Sequence, residues 1–172
     1  MITMKRVQYG CILMLAISAW QSTMVHAAEN QVRIQQIEVA VSEAGPVLLL
    51  KAENRAIPVF VDPTVAESVH AALTGGKTRR PFTHDLMHSV LSAYDGRVSH
   101  VAITLKDNTF YAALTVVLRD STRVFDSRAS DAIALATHFK APIMVPRELL
   151  EMQGRVLDAP GTKTPLAPQQ KI

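Results

Sequence analysis

The chain has 172 residues, 18 of them Lys or Arg and 15 Asp or Glu, for a formal net charge of +3, with one Cys and one Trp. The opening segment distorts that balance. Lys5 and Arg6 precede the apolar run Cys11 to Trp20, and Val25 and Ala27 then supply small residues at the minus-three and minus-one places of a cleavage site. This is the layout of a secretory signal peptide over residues 1–27, cut between Ala27 and Ala28. The run falls well short of the roughly 20 residues needed to cross a bilayer; a retained N-terminal anchor is the alternative. Removing the segment leaves 16 basic and 15 acidic residues, a charge of +1, so the basic pI is no nucleic-acid footprint. Cys11 and Trp20 leave with it, which excludes a disulfide, a thiolate nucleophile and a Cys-based metal site in the mature chain. The expected location is the periplasm or the exterior, and about 145 residues suffice for one domain.

In chain order, Val32 to Val41 alternates loosely and predicts a strand. Glu43 to Pro46 is a turn, Val47 to Leu50 a buried strand, and Ile57 to Val61 a third strand. Asp62-Pro63-Thr64 starts a helix whose Val65, Ala66, Val69, Ala72 and Leu73 follow helical spacing, and Gly75-Gly76 stops it. A second helix is predicted over 84–94, with Thr83 as N-cap and Leu86, Met87, Val90, Leu91 and Tyr94 as its core-facing stripe. Val101 to Leu105 and Phe110 to Leu118 alternate as a hairpin about Asp107-Asn108. Thr122 to Phe125 predicts another strand, Ala129 to Phe139 a helix, Pro142 to Val145 a strand and 146–152 a short helix.

The pattern repeats: each half reads strand, strand, short strand ending near an Asp, then helix. Val59-Phe60-Val61-Asp62 parallels Arg123-Val124-Phe125-Asp126 at an offset of 64 residues. The expected fold is α+β: a single domain over 28–153, with two β-β-β-α-like repeats forming a mixed or antiparallel sheet packed against helices. From Gly154 onward three prolines and few apolar residues predict a disordered tail over 154–172.

Three segments stand out: Arg80-Pro81-Phe82-Thr83-His84-Asp85-Leu86-Met87, Asp107-Asn108-Thr109-Phe110-Tyr111-Ala112, and Asp126-Ser127-Arg128-Ala129-Ser130-Asp131-Ala132-Ile133-Ala134-Leu135-Ala136 followed by Ala141-Pro142-Ile143-Met144-Val145. In order and spacing they resemble the hallmark blocks of the bifunctional nuclease (BFN) domain family, from about Val39 to Leu150. One departure is Ala129, where the family usually has a proline suited to a first helical turn. The resemblance implies a nuclease acting on RNA and DNA, and self-association into a homo-oligomer.

Phosphodiester hydrolysis needs water activation, charge compensation at the phosphoryl oxygens and a proton for the leaving oxygen. On the second helix, His84, Asp85 and His88 share the face opposite the apolar stripe. They could serve that chemistry, or form a solvated face with Asp85 favouring the helix dipole. At the third helix start, Asp126, Arg128, Ser130 and Asp131 could receive a phosphate or simply cap the helix, and Arg128 could pair with Asp131. The catalytic candidates are thus His84, Asp85, Asp126 and Asp131. His84 is assigned to proton transfer, and Asp85 and Asp131 to water activation or to a divalent cation, Mg or Mn. Arg79, Arg80, Arg128 and Ser130 are the candidates for substrate binding. No organic cofactor is expected. His70, His100 and His138 stand alone and read as structural or surface residues; Tyr111 reads as a sheet-surface tyrosine that could stack on a base. The expectation is an exported nuclease acting on RNA or DNA. The near-neutral mature charge favours the rival, a non-catalytic module that binds a protein or small ligand.

Overall fold

The computed structural model describes residues 30–76 and 78–157; the expected signal peptide, Lys77 and residues 158–172 lie outside them. The described residues from Val32 to Leu157 form one compact unit. The elements are β1 (Gln31–Arg33), β2 (Gln36–Ser42), β3 (Gly45–Ala52), β4 (Arg55–Phe60), α1 (Pro63–Thr74), α2 (Thr83–Ala93), β5 (Gly96–Lys106), β6 (Thr109–Leu118), β7 (Ser121–Arg128), α3 (Ala129–Phe139), β8 (Ile143–Pro146), α4 (Arg147–Gln153) and β9 (Arg155–Val156). This is the expected α+β domain, with its strands divided between two sheets. One is antiparallel, in the order β2-β3-β4-β9; the other is mixed, in the order β1-β8-β5-β6-β7, with β8 parallel to β5.

The repeat is present as β2-β3-β4-α1 and β5-β6-β7-α3, with α2 joining the units. The first hairpin turns obey the 64-residue offset, Glu43-Ala44 matching Asp107-Asn108, and both residues of the second turn have left-handed backbone (φ 49° and 58°). Such a pair of positive φ values twists a two-residue turn to match its strands. After that turn the offset changes, because β6 has 10 residues where β3 has 8. The residue before α1 is Asp62 and the residue before α3 is Arg128, so Arg128, not Asp126, occupies the position of Asp62. Asp126 lies within β7, paired in register with Ala113.

One hydrophobic core draws on both sheets and on α1, α3 and α4. It includes Leu48, Leu50, Ile57, Val69, Val101, Ile103, Ile133 and Leu150. Burying such side chains contributes roughly 1.5–3 kcal/mol each and dominates the fold's stability. The expected tail boundary at Gly154 falls inside the fold. Arg155–Val156 pair with Ala56 and Arg55 of β4, and the Arg55 guanidinium donates to Gly154 O at 2.8 Å. At Gly154 a Cβ would meet Leu150 O at 2.1 Å, so the chain can turn there only without a side chain.

The second helix departs most from expectation. It starts at Thr83 with Phe82, not Thr83, in the capping position. Its apolar stripe faces outward: Leu86, Met87, Val90 and Tyr94 are 57%, 45%, 46% and 60% exposed, and only Leu91 of the stripe packs on the core. The polar face points inward, with His84 buried. The cause lies on the neighbouring helix. Asp131 and His138, seven residues apart on α3, offer α2 a polar surface, which histidines and a carboxylate can satisfy and leucines cannot. Among the described residues no buried side-chain polar atom lacks a hydrogen-bond partner.

Candidate functional site

The inward face of α2 meets α3 in two histidine–carboxylate pairs. In the first, His84 Nε2 lies 3.3 Å from Asp131 Oδ1. In the second, His138 Nε2 lies 3.5 Å from Asp85 Oδ1. The pairs are reciprocal, since each helix supplies one histidine and one acid. His88 closes the second pair off, its ring stacked 5.7 Å from that of His138 and edge-on 4.5 Å from Phe139. From α1, the buried Ser68 places Oγ 3.1 Å from His138 Nε2.

The first pair is the more exposed and the more strongly charged. Arg128 donates from Nε to Asp131 Oδ2 at 2.7 Å and from Nη2 to Asp131 Oδ1 at 2.9 Å. Such a two-pronged contact is among the strongest in proteins. It holds the Asp131 carboxyl below the usual carboxylate range; partial burial opposes that shift and the His84 hydrogen bond adds to it. Asp131 in turn raises Arg128 above its ordinary value. Arg128 Nη1 also reaches Asp62 Oδ2 at 4.0 Å, joining the starts of α1 and α3. The residues that occupy equivalent places in the two repeats therefore carry opposite charges and meet. An ionised Asp131 can only accept, so His84 Nε2 carries the hydrogen; in the neutral ring Nδ1 is then the basic nitrogen. Three of the five guanidinium hydrogens of Arg128 remain outside the Asp131 contact.

This cluster lines a cleft of about 590 Å³ between α2, α3 and the β6–β7 hairpin. His84, Asp126, Arg128 and Asp131 all line it, and Met87, Leu91, Leu114, Val116, Phe125 and Leu135 make its apolar bed.

The other sequence candidates fall elsewhere. Asp85 is turned away from the cleft: Oδ2 accepts the Phe82 N–H at 2.8 Å and Oδ1 faces His138, so it ties down its own helix start and a second helix. Arg79 and Arg80 are exposed and line a separate hollow with Glu67, His70 and Thr74 at the end of α1. Ser130 sits in the first turn of α3 and does not line the cleft. Tyr111 is 43% exposed on the outer strand face, opposite Arg128 in register. The pairing of Asp85 with Asp131 as metal ligands does not fit this arrangement. Each acid is engaged by different groups, and among the described residues no cluster of three or more His, Cys, Asp or Glu could hold a metal ion.

His138, expected to stand alone as a structural or surface residue, instead faces Asp85, and Asp62, expected as a helix start, also reaches Arg128. Burial pushes His138 below the ordinary histidine value, with Asp85 opposing the shift and His88 and His84 adding to it. A signal for it was available: His138 follows Asp131 by seven residues, so the two share a face of α3.

Residues 47–158 match the family model described as the bifunctional nuclease domain. The chain belongs to the bifunctional nuclease domain family. In Mycobacterium tuberculosis it resembles uncharacterized protein MT1877 of strain CDC 1551 and uncharacterized protein Rv1829 of strain H37Rv. Each is 31% identical over 131 residues, which span 74% of this chain and 78% of the relative. The family match runs from β3 past β9 and so takes in α2, α3 and the whole cleft. At the level of the family this supports nuclease chemistry, the hydrolysis of phosphodiester bonds.

Proposed function

We propose that the protein is an exported nuclease that hydrolyses phosphodiester bonds of RNA or DNA at the cluster of His84, Asp131 and Arg128. One observation carries the reading: at two helix starts, a histidine and a carboxylate 47 residues apart in sequence meet, the carboxylate held ionised by an arginine, in the lining of a cleft. In this reading His84 moves the proton, using Nδ1 on the attacking hydroxyl or water and returning it to the leaving oxygen. Asp131 fixes the tautomer and orientation of the ring. Arg128 offsets charge on the phosphoryl oxygens through the hydrogens that Asp131 leaves unused. Asp126 lines the same cleft and is the second acid in reach of substrate. Asp85 is assigned a positioning role, through the start of α2 and His138. A divalent cation such as Mg or Mn would find no ready ligand set here, and no step is routed through one. Export rests on the signal-like layout of residues 1–27. Self-association belongs to the same proposal and is supported by the outward apolar stripe of α2.

The test is cleavage by the purified protein, free of host nucleases, of labelled single-stranded RNA and DNA. Reactions are run with magnesium, with manganese and with chelator, beside Asp131→Ala and Asp85→Ala variants whose folding has been checked. Cleavage that falls with Asp131→Ala by at least about a hundredfold, and less with Asp85→Ala, supports the assignment. Cleavage equal in all samples contradicts it, and cleavage absent in all returns the protein to the rival class of ligand- or protein-binding modules.

A further inference from the structure

Hydrolysis of a phosphate explains the polar residues that line the cleft and leaves the apolar ones unexplained. The bed is built from both layers of the fold. Leu114 and Val116 of β6 are 7% exposed each and form the sheet side, and Leu91 of α2 and Leu135 of α3 form the helix side. Phe125 stands opposite Leu114 in the β6–β7 register, with 47% of its surface exposed. Opposite Val116 in the same register is Arg123, which also lines the cleft and makes no ion pair or hydrogen bond that fixes it among the described residues. Arg123 and Phe125 share one face of β7, and Arg128, at the end of the strand, also lines the cleft.

We propose that this cleft is a base-binding subsite: one nucleobase enters the apolar bed against Phe125 while its flanking phosphates lie on Arg128 and Arg123. The argument is complementarity. A nucleotide combines a flat face that stacks on aromatic and aliphatic side chains with a charged backbone, and the cleft offers the matching halves next to each other. The subsite rests on the hydrolytic reading only for which phosphate is cut. It has a consequence for substrate class. A base paired and stacked in a duplex cannot reach the bed unless it is turned out of the helix, so the substrate is a single strand or an unpaired segment. Recognition through a stacked face is tolerant of base identity, which suits a nuclease without strict sequence preference.

The test is binding, measured on the His84→Gln protein, which keeps Phe125, Arg123 and Arg128 and slows cutting of the strand. Fluorescence anisotropy compares three labelled ligands of equal length: a single-stranded oligonucleotide, the same backbone with abasic residues, and a duplex. The expected result is binding of the single strand about tenfold or more tighter than of the abasic strand, with the duplex also weaker. Phe125→Ala should abolish most of that difference by weakening only the strand that carries bases. Arg123→Ala should weaken both single strands alike and flatten the salt dependence. Equal affinity for the abasic and base-bearing strands overturns the subsite, and so does failure of both to bind. Sedimentation of the same samples covers the other occupant: a dimer that Phe125→Ala dissociates, with no strand bound, assigns the cleft to a second copy of the chain. Base-dependent binding without cleavage under any condition would leave the subsite standing and remove the hydrolytic reading.

Discussion

The two repeats share an order of elements and differ in what they do with the third strand. In the first, β4 is buried along Ala56 to Val59, and its outer edge is covered by β9. In the second, the equivalent strand β7 is exposed at all but one residue, Ser127, and is the last strand of its sheet. The first unit closes its hairpin into the core. The second leaves its hairpin standing as one wall of the cleft. The helix starts differ in the same sense, since Asp62 is a lightly paired surface acid and Arg128 the centre of a charged cluster. One supersecondary design thus serves as scaffold in one half and as a site in the other, the division expected when function is grafted onto a stable framework.

The largest effect should be on stability and should fall on one repeat alone. Ile57→Ala, at a β4 position 1% exposed, should cost about 2–5 kcal/mol. Val124→Ala, at a β7 position 65% exposed, should stay within about 0.5 kcal/mol. Urea denaturation of both variants checks the contrast, and similar losses would mean that β7 is covered in solution.

Next comes the charged cluster. Asp131→Asn preserves shape but removes the charge that orients His84, and cleavage should fall by about a hundredfold or more with the fold intact by circular dichroism. Asp62→Asn, at the equivalent helix start of the other repeat, should change cleavage by no more than a few-fold. Equal losses would erase the distinction between the two units.

A pH effect is smaller again. The lowered His138 binds its proton less readily in the fold than in the unfolded chain. Stability is therefore fullest above the ordinary value of 6.5 and is lost as pH falls from there toward the lowered value. The groups facing His138 are Asp85, His88 and His84 from α2 and Ser68 from α1. His138→Gln should flatten that slope in urea midpoints taken between pH 7 and pH 5.5; an unchanged slope would show that another group carries it. Asp131 acts on a separate limb. Its lowered carboxyl stabilises the fold above the ordinary carboxylate value, and that contribution is lost as pH falls through the lowered one. The smallest effect is on Asp62 as a stabiliser: its 4.0 Å contact with Arg128 is exposed on both sides, and exposed pairs contribute about 0–1 kcal/mol.

Strand alternation, the Asp107-Asn108 turn and the start of α3 at Ala129 were legible because local chemistry dictates them. The duplication was legible too, but its register was misread after the first hairpin, since two extra residues in β6 leave no mark on a pattern of period two. The facing of α2 was illegible for a different reason. An amphipathic helix says that it has two faces, not which one a neighbour wants. The usual assumption sends leucines inward, and here α3 presents an acid and a histidine instead. Asp85 and Asp131 therefore looked alike in sequence and part in the fold, one binding backbone and histidine, the other arginine and histidine. Strand β9 was missed because two residues pairing with β4 carry no periodic signal of their own.

His84 and His88 sit one helical turn apart and are indistinguishable by composition. The fold sets His84 against the ionised Asp131 in the lining of the cleft, and His88, which does not line it, against the His138 and Phe139 rings. The decisive measurement is kcat/KM for a labelled single-stranded RNA with His84→Gln and His88→Gln, both confirmed folded. The account predicts a fall of about a hundredfold or more for His84→Gln and of only a few-fold for His88→Gln. Equal losses, or activity that survives the change at His84, would contradict it.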